Sequence, residues 1–197
     1  MSIDNNDLTR IAVFVSGGGT NLQALIDAEN SGIITNGKIV LVVSTNPDCK
    51  AIERAKNAGI ETFIYKDETE LINELDKKDI QLIVLAGFLR ILSADFVAKY
   101  PRRIINVHPA LLPSFGGKGC YGIHVHEMAL ERGVKISGAT VHFVNEITDG
   151  GEIIAQKAVD VLPSDTPETL QKRIMKEAEH IILPLAVEEV SKDIRFA

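Results

Sequence analysis

The apolar positions of the chain fall into short unbroken runs separated by segments with helical spacing. The runs stand at Ile11–Val15 (IAVFV), Ile39–Val43 (IVLVV), Thr62–Tyr65, Leu82–Leu85 and Arg103–Val107, each of strand length and rich in β-branched residues. Between them, apolar residues recur every three or four positions. These segments are the one carrying Leu22, Leu25 and Ile26, then Ala51–Ala58 ended by Gly59, Glu68–Lys77, and Ala94–Lys99 with Ser93 as its N-cap and Pro101 beyond its end. Strand and helix in turn predict α/β architecture, a doubly wound and mostly parallel sheet with right-handed crossovers. The pattern changes past residue 108. A loop with Pro109, Pro113, Gly116, Gly117, Gly119 and Gly122 leads into a helix over Ile123–Glu131, closed by Gly133. Two further runs, Ile136–Val144 and Gly151–Val161, are joined by NEITDGG, whose Asp149–Gly150 is a turn signal, so these strands are expected to pair antiparallel. About seven strands result. The last predicted element is a helix with Asp165, Pro167 and Glu168 as N-cap, N1 and N3, and an apolar stripe of Leu170, Ile174, Ala178, Ile181, Ile182 and Leu185. Pro184 should kink or end it. With no repeat, low-complexity tract or linker, residues 1–197 read as a single domain with a polar N-terminal extension over 1–9.

Candidate chemistry concentrates in Ile104–Pro113 (IINVHPALLP). Asn106 and His108 stand two apart at the end of the fifth strand, so both side chains share one face at its carboxyl end, where open α/β sheets keep their ligands. The amide offers a neutral donor for a developing oxyanion, and the imidazole offers a proton near neutral pH. Asp149 is a third candidate. A carboxylate beside His108 would favour the imidazolium and fix its orientation, although an Asp before two glycines is also simply a turn residue. Together the three groups suit transfer of an acyl-like group to an amine. A second candidate is SGGGTN at Ser16–Asn21, between the first strand and the first helix. That arrangement aims backbone N–H groups at an anion. No glycine stands three residues after Gly19, as the dinucleotide fingerprint requires, and there is no GK[ST] of a phosphate-binding P-loop. The loop therefore reads as a site for a single phosphate or as a tight turn.

Composition narrows the partners. Twenty-one Lys and Arg against 27 Asp and Glu leave a net charge of −6, which argues against a nucleic-acid binder but not against a small anion held by backbone amides. Cys49 and Cys120 form no CxxC, so neither a zinc ribbon nor a disulfide framework is indicated. His124, His126 and His142 join no H-x-x-x-H pattern, and no metal is expected. His142, alternating with Val141 and Phe143, lines the same cleft or faces solvent. Apolar runs such as Ile80–Leu85 are too short to span a bilayer, and Met1–Asp7 is polar and acidic rather than a signal peptide. A cytoplasmic protein with no membrane partner is the expectation.

Four stretches in order, SGGGTNLQALID, LAGFLRIL, INVHPALLPSFGG and GATVHFVNEITDGG, resemble the folate-dependent formyltransferases over roughly Ile11 to Leu185. The likeness is strongest to the members of purine biosynthesis that formylate 5-phosphoribosylglycinamide. It implies a Rossmann-like fold and small-molecule partners only, with 10-formyltetrahydrofolate as formyl-donating co-substrate and the primary amine as acceptor. By position, the family's catalytic Asn, His and Asp fall on Asn106, His108 and Asp149, and its substrate-phosphate loop on Gly18, Gly19, Thr20 and Asn21. Its ribose-contacting glutamate falls on Glu179. Its folate cleft falls on Phe88, Leu89, Arg90, Ile91 and Leu92, with Asn106 and Val144. The stretch Tyr65–Asp79 is shorter than usual in the family, and Lys66 stands in for a basic residue there. Ala110 replaces a frequent Ser at similar size. The tRNA-formylating relatives have a further C-terminal domain and a basic face. The runner-up is a 10-formyltetrahydrofolate hydrolase, whose known forms carry an N-terminal regulatory domain. From another class, a non-catalytic binder of a sugar phosphate or folate would need the glycine loop but not Asn106, His108 and Asp149 together.

Overall fold

The strand Thr9–Val15 (β1) lies between two parallel neighbours, which is why its apolar run is continuous rather than alternating. Ile11, Ala12, Val13, Phe14 and Val15 are all fully buried. The computed structural model describes residues 7–197, so most of the N-terminal extension read over 1–9 falls outside the described residues. The chain divides into two units, Met1–Leu92 with Pro184–Ala197, and Ser93–Leu183.

In the first unit, β1 is joined by Gly37–Ser44 (β2), Glu61–Ile64 (β3) and Leu82–Leu85 (β4) in the order β3-β2-β1-β4, all parallel. The helices are Thr20–Asn30 (α1), Lys50–Asn57 (α2) and Glu68–Lys77 (α3). β1 starts two residues before the apolar run because polar groups hold it. The Thr9 N–H donates to the Asn36 carbonyl, and the Thr9 hydroxyl donates to the Ser191 carbonyl at 2.7 Å. Parallel strands send their carboxyl ends to one edge, so the loops after β1 and β4 meet there. The Leu89 N–H donates to the Ser16 hydroxyl oxygen at 3.0 Å.

In the second unit, Ala94–Lys99 (α4) is capped by Ser93, whose hydroxyl oxygen accepts the Phe96 N–H. Then come Ile104–His108 (β5), His124–Arg132 (α5), Ile136–Phe143 (β6), Ile153–Asp160 (β7) and Pro167–Ile174 (α6). The expected antiparallel pairing of β6 with β7 is present, and β6 also runs antiparallel to β5. The α5 segment between β5 and β6 concealed this, because a helix between two strands ordinarily marks a parallel crossover.

Three local readings of the last helical segment need correction. Its N-cap is Thr166, not Asp165, and N3 is Thr169, not Glu168. The Thr166 side chain accepts the Thr169 N–H while the Thr169 hydroxyl oxygen accepts the Thr166 N–H. Asp165 is occupied instead by the Leu162 N–H, the Thr169 hydroxyl and the Arg173 guanidinium. After α6 the chain makes a π-helical turn over Met175–Glu179 before His180–Phe196 (α7), and Pro184 sits inside α7 without ending it. The wider turn accommodates a surplus residue. Leu170, Ile174, Ala178 and Ile182 are buried as expected, but Ile181 and Leu185 are 45% and 54% exposed, their places taken by Leu183, Ala186 and Val187.

Candidate active site

The candidate site of the second unit is built by one cross-strand register. Asn106 and His108 project to one face of β5, and on β6 they stand opposite His142 and Thr140. Directly opposite residues of an antiparallel pair share a face, so four polar side chains gather on an otherwise apolar ladder. His108 and His142 are 4% and 2% exposed, and Thr140 is fully buried. Asp149 reaches them from the β6–β7 loop. Its Oδ2 lies 3.6 Å from His108 Nδ1 and its Oδ1 lies 3.6 Å from His142 Nε2. The left-handed conformation of Asp149 (φ 55°) belongs to the turn, so the two readings of this residue are not rivals. Gly151 lets the turn close, since a Cβ there would stand 1.7 Å from the Phe143 carbonyl oxygen.

A backbone carbonyl makes one nitrogen of each imidazole a donor. His108 Nε2–H donates to the Phe115 carbonyl at 2.9 Å, leaving Nδ1 toward Asp149. His142 Nδ1–H donates to the Phe143 carbonyl at 2.8 Å, and its Nε2 faces the Asn106 amide at 3.2 Å and Asp149 Oδ1 at 3.6 Å. The Gly117 N–H donates to Asp149 Oδ2 at 2.8 Å. Burial works to raise the pKa of Asp149, but its bonds to His142 and Gly117 and the nearby imidazoles hold it below the usual carboxylate range. Burial lowers the pKa of His108, and the Asp149 charge and the Phe115 carbonyl only partly oppose this. Asp149 thus favours the imidazolium, as the sequence indicated, yet desolvation wins and the resting ring is disposed to be neutral.

The segment after His108 is pinned by Thr140. Its hydroxyl donates to the Ala110 carbonyl at 2.7 Å and its oxygen accepts from the Leu112 N–H and the Gln156 amide, each at 3.0 Å. Thr140, Gln156, the Phe115 carbonyl and the Gly117 N–H escaped sequence reasoning, and His142 was left undecided. Their roles depend on the β5–β6 register and on loop closure, which no local pattern encodes. His126 is fully buried and neither ring nitrogen has a hydrogen-bond partner. Burial, with a contribution from His108, pushes it down to about 4. His124 is exposed and pairs with Glu127 at 2.7 Å. Among the described residues no three His, Cys, Asp or Glu side chains converge as a metal-binding group.

Of the remaining candidates, Glu179 lies on the π-helical turn of the second unit and is 8% exposed, and Val144 donates its N–H to the Ile104 carbonyl at 2.9 Å. In the first unit, Gly19 is the N-cap of α1 in a left-handed conformation (φ 67°), with Gly18 before it and Thr20 and Asn21 opening the helix. The nearby loop 88–92 is anchored by Phe88, edge-on to Phe14 (5.3 Å) and Tyr65 (5.9 Å). Leu89 and Ile91 of that loop are 67% and 86% exposed, the kind of apolar exposure that a ligand covers. Arg90 is exposed, and Lys66 faces solvent 4.0 Å from Glu70.

The formyl transferase family model matches residues 9–187. The chain belongs to the formyl transferase family. Among its relatives, the chloroplastic phosphoribosylglycinamide formyltransferase of Arabidopsis thaliana is 44% identical over 181 residues, covering 87% of this chain and 61% of that protein. The phosphoribosylglycinamide formyltransferase of Escherichia coli is 40% identical over 90% of this chain and 84% of its own length. The crystal structure of phosphoribosylglycinamide formyltransferase from Anaplasma phagocytophilum, 38% identical, superposes with a TM-score of 0.87 over 94% of this chain and 88% of that one. The chain spans 61% of the length of the two plant relatives. Its α/β fold of seven strands, with parallel pairing in the first unit and antiparallel pairing in the second, is that of this formyl transferase structure. No described helix is long and apolar enough to cross a membrane.

Proposed function

We propose that this formyl transferase moves the formyl group of 10-formyltetrahydrofolate to the primary amine of 5-phosphoribosylglycinamide, giving formyl-phosphoribosylglycinamide and tetrahydrofolate. The observation that carries the reading is the set of buried His108 and His142 with half-buried Asn106 and Asp149, a donor, two imidazoles and a carboxylate within 3.6 Å links of one another. The names of the relatives above support the choice of substrates. The amine attacks the formyl carbon, and the Asn106 amide and His108 stabilise the oxyanion of the tetrahedral intermediate. The resting ring is disposed to be neutral, and a proton added at Nδ1 faces Asp149, so the ring takes up charge as the oxyanion grows. The carbon–nitrogen bond to the folate then breaks, and the proton lost by the attacking amine ends on the departing nitrogen.

Gly18, Gly19, Thr20 and Asn21 hold the substrate phosphate in this reading, and Glu179 holds the ribose. Phe88, Leu89, Arg90, Ile91 and Leu92, with Val144, receive the folate. Arg90 and Lys66 are solvent-facing cations suited to its carboxylates. Small molecules are the partners, with no nucleic acid or membrane among them. The test follows folate absorbance with purified protein and 10-formyltetrahydrofolate, with and without phosphoribosylglycinamide. Turnover that requires the amine is expected. Equal turnover without it would mean a hydrolase, and none in either case would mean a binding protein.

A further inference from the structure

The glycine loop is held from behind by α2. The Ala51 N–H donates to the Gly17 carbonyl at 3.2 Å, and the Arg54 Nε–H donates to the Gly18 carbonyl at 3.0 Å. The Gly19 carbonyl accepts the Gln23 N–H at 2.9 Å as the first bond of α1. A planar trans peptide sets the carbonyl of one residue opposite the N–H of the next. Three consecutive carbonyls tied into the protein therefore turn the N–H groups of Gly18, Gly19 and Thr20 the other way, as a nest for an anion requires. Two of the three ties are backbone donors that any sequence would supply. The third is a side chain.

Arg54 does more than close that bond. Its Nη1–H donates to Gln23 Oε1 at 3.0 Å, so one guanidinium joins α2 to both the loop and α1. The planar fork makes both bonds in fixed directions and keeps its charge at any accessible pH. A lysine at the same place has the charge but not the fork. The contact also has no slack, because a Cβ on Gly19 would lie 2.7 Å from both Ala51 Cα and Ala51 Cβ. We propose that Arg54 is a positioning residue for substrate selection, holding the Gly18 carbonyl so that the loop accepts a phosphate monoester and discriminates against the unphosphorylated amine. This rests on the phosphate reading of the loop given above.

The experiment compares steady-state kinetics of phosphoribosylglycinamide and its unphosphorylated riboside in the wild type, Arg54→Ala and Arg54→Lys, with inorganic phosphate as an inhibitor competing with the amine. The wild type should prefer the phosphorylated amine. Arg54→Ala should raise the KM for that substrate and the phosphate inhibition constant about tenfold, the scale of a lost charge-assisted bond. Its kcat and its KM for the folate should stay within twofold, and kcat/KM for the riboside should not change. Arg54→Lys should recover only part of the discrimination. An equal loss for both amines, or an unchanged ratio between them, overturns the assignment of Arg54. If Arg54→Ala fails to fold, Arg54→Lys carries the test, and a wild-type KM for the phosphorylated amine in that variant also overturns it. A wild type that does not distinguish the two amines and ignores phosphate overturns the phosphate reading itself, which is a separate result.

Discussion

His108 is held at both ring nitrogens, by the Phe115 carbonyl on one side and Asp149 on the other. Removing the ring leaves the Asn106 amide and the backbone in place, so His108→Ala should lower kcat on the order of 10²-fold or more while folate and amine binding largely persist. Stopped-flow binding alongside turnover separates the two effects. Asp149 is the carboxylate that raises the pKa of His108 against desolvation. Its replacement by asparagine removes that attraction and leaves the burial, so the His108 pKa should fall further below its ordinary value. A titration of the imidazole by NMR reads this directly, and an unchanged His108 pKa would mean that the two groups do not interact.

Elements deliver these side chains, and they differ in how openly the sequence announces them. The apolar runs of β1, β2 and β4 and the Ser93 cap of α4 were legible, because burial and first-turn hydrogen bonds leave local marks. That Asn106 and His108 share a face was legible too, since it needs only the two-residue period of a strand. The partners of those residues were not. Nothing in ISGATVHFV states that His142 will stand opposite Asn106; that follows from β6 lying antiparallel to β5, a non-local pairing. The glycine loop shows the same limit. Three consecutive glycines look alike in sequence, yet Gly19 is left-handed and pressed against Ala51, whereas a Cβ at Gly18 would meet nothing within 4 Å. Gly19→Ala should therefore cost about 2 kcal/mol or more through backbone strain and collision and raise the KM for the phosphorylated amine. Gly18→Ala should leave stability nearly unchanged. Urea unfolding of the two variants side by side checks the contrast.

For the whole molecule, the response to acid is set by groups whose protonation differs between the folded and unfolded chain. His126 is buried and lowered to about 4 from 6.5. Below pH 6.5 the unfolded chain takes up its proton first, so stability falls as pH drops from about 6.5 toward 4, by about 2 kcal/mol between pH 7 and pH 5. Asp149 shares the preference for the deprotonated form in the folded chain but has a separate window. Its folded pKa is depressed, so its contribution is complete above the ordinary carboxylate range and is lost only as pH falls below it. His126→Leu should flatten the loss between pH 7 and pH 5, measured by urea midpoints at the two values. An identical acid slope in that variant would mean that His126 takes up its proton equally in both states.

The π-helical turn at Met175–Glu179 has one more consequence. The buried positions before it, Leu170 and Ile174, the one within it, Ala178, and those after it, Ile182, Ala186 and Val190, are spaced by four throughout. Each step of four oversteps a full α-helical turn by 40°, and the wider turn takes part of that drift back. The extra residue thus keeps one four-residue frame running through both helices. A hydrophobic-to-polar scan along 170–190 should find its sensitive positions still four apart on either side of the turn. Deletion of one residue within it would rotate everything downstream by about 100° relative to what lies upstream.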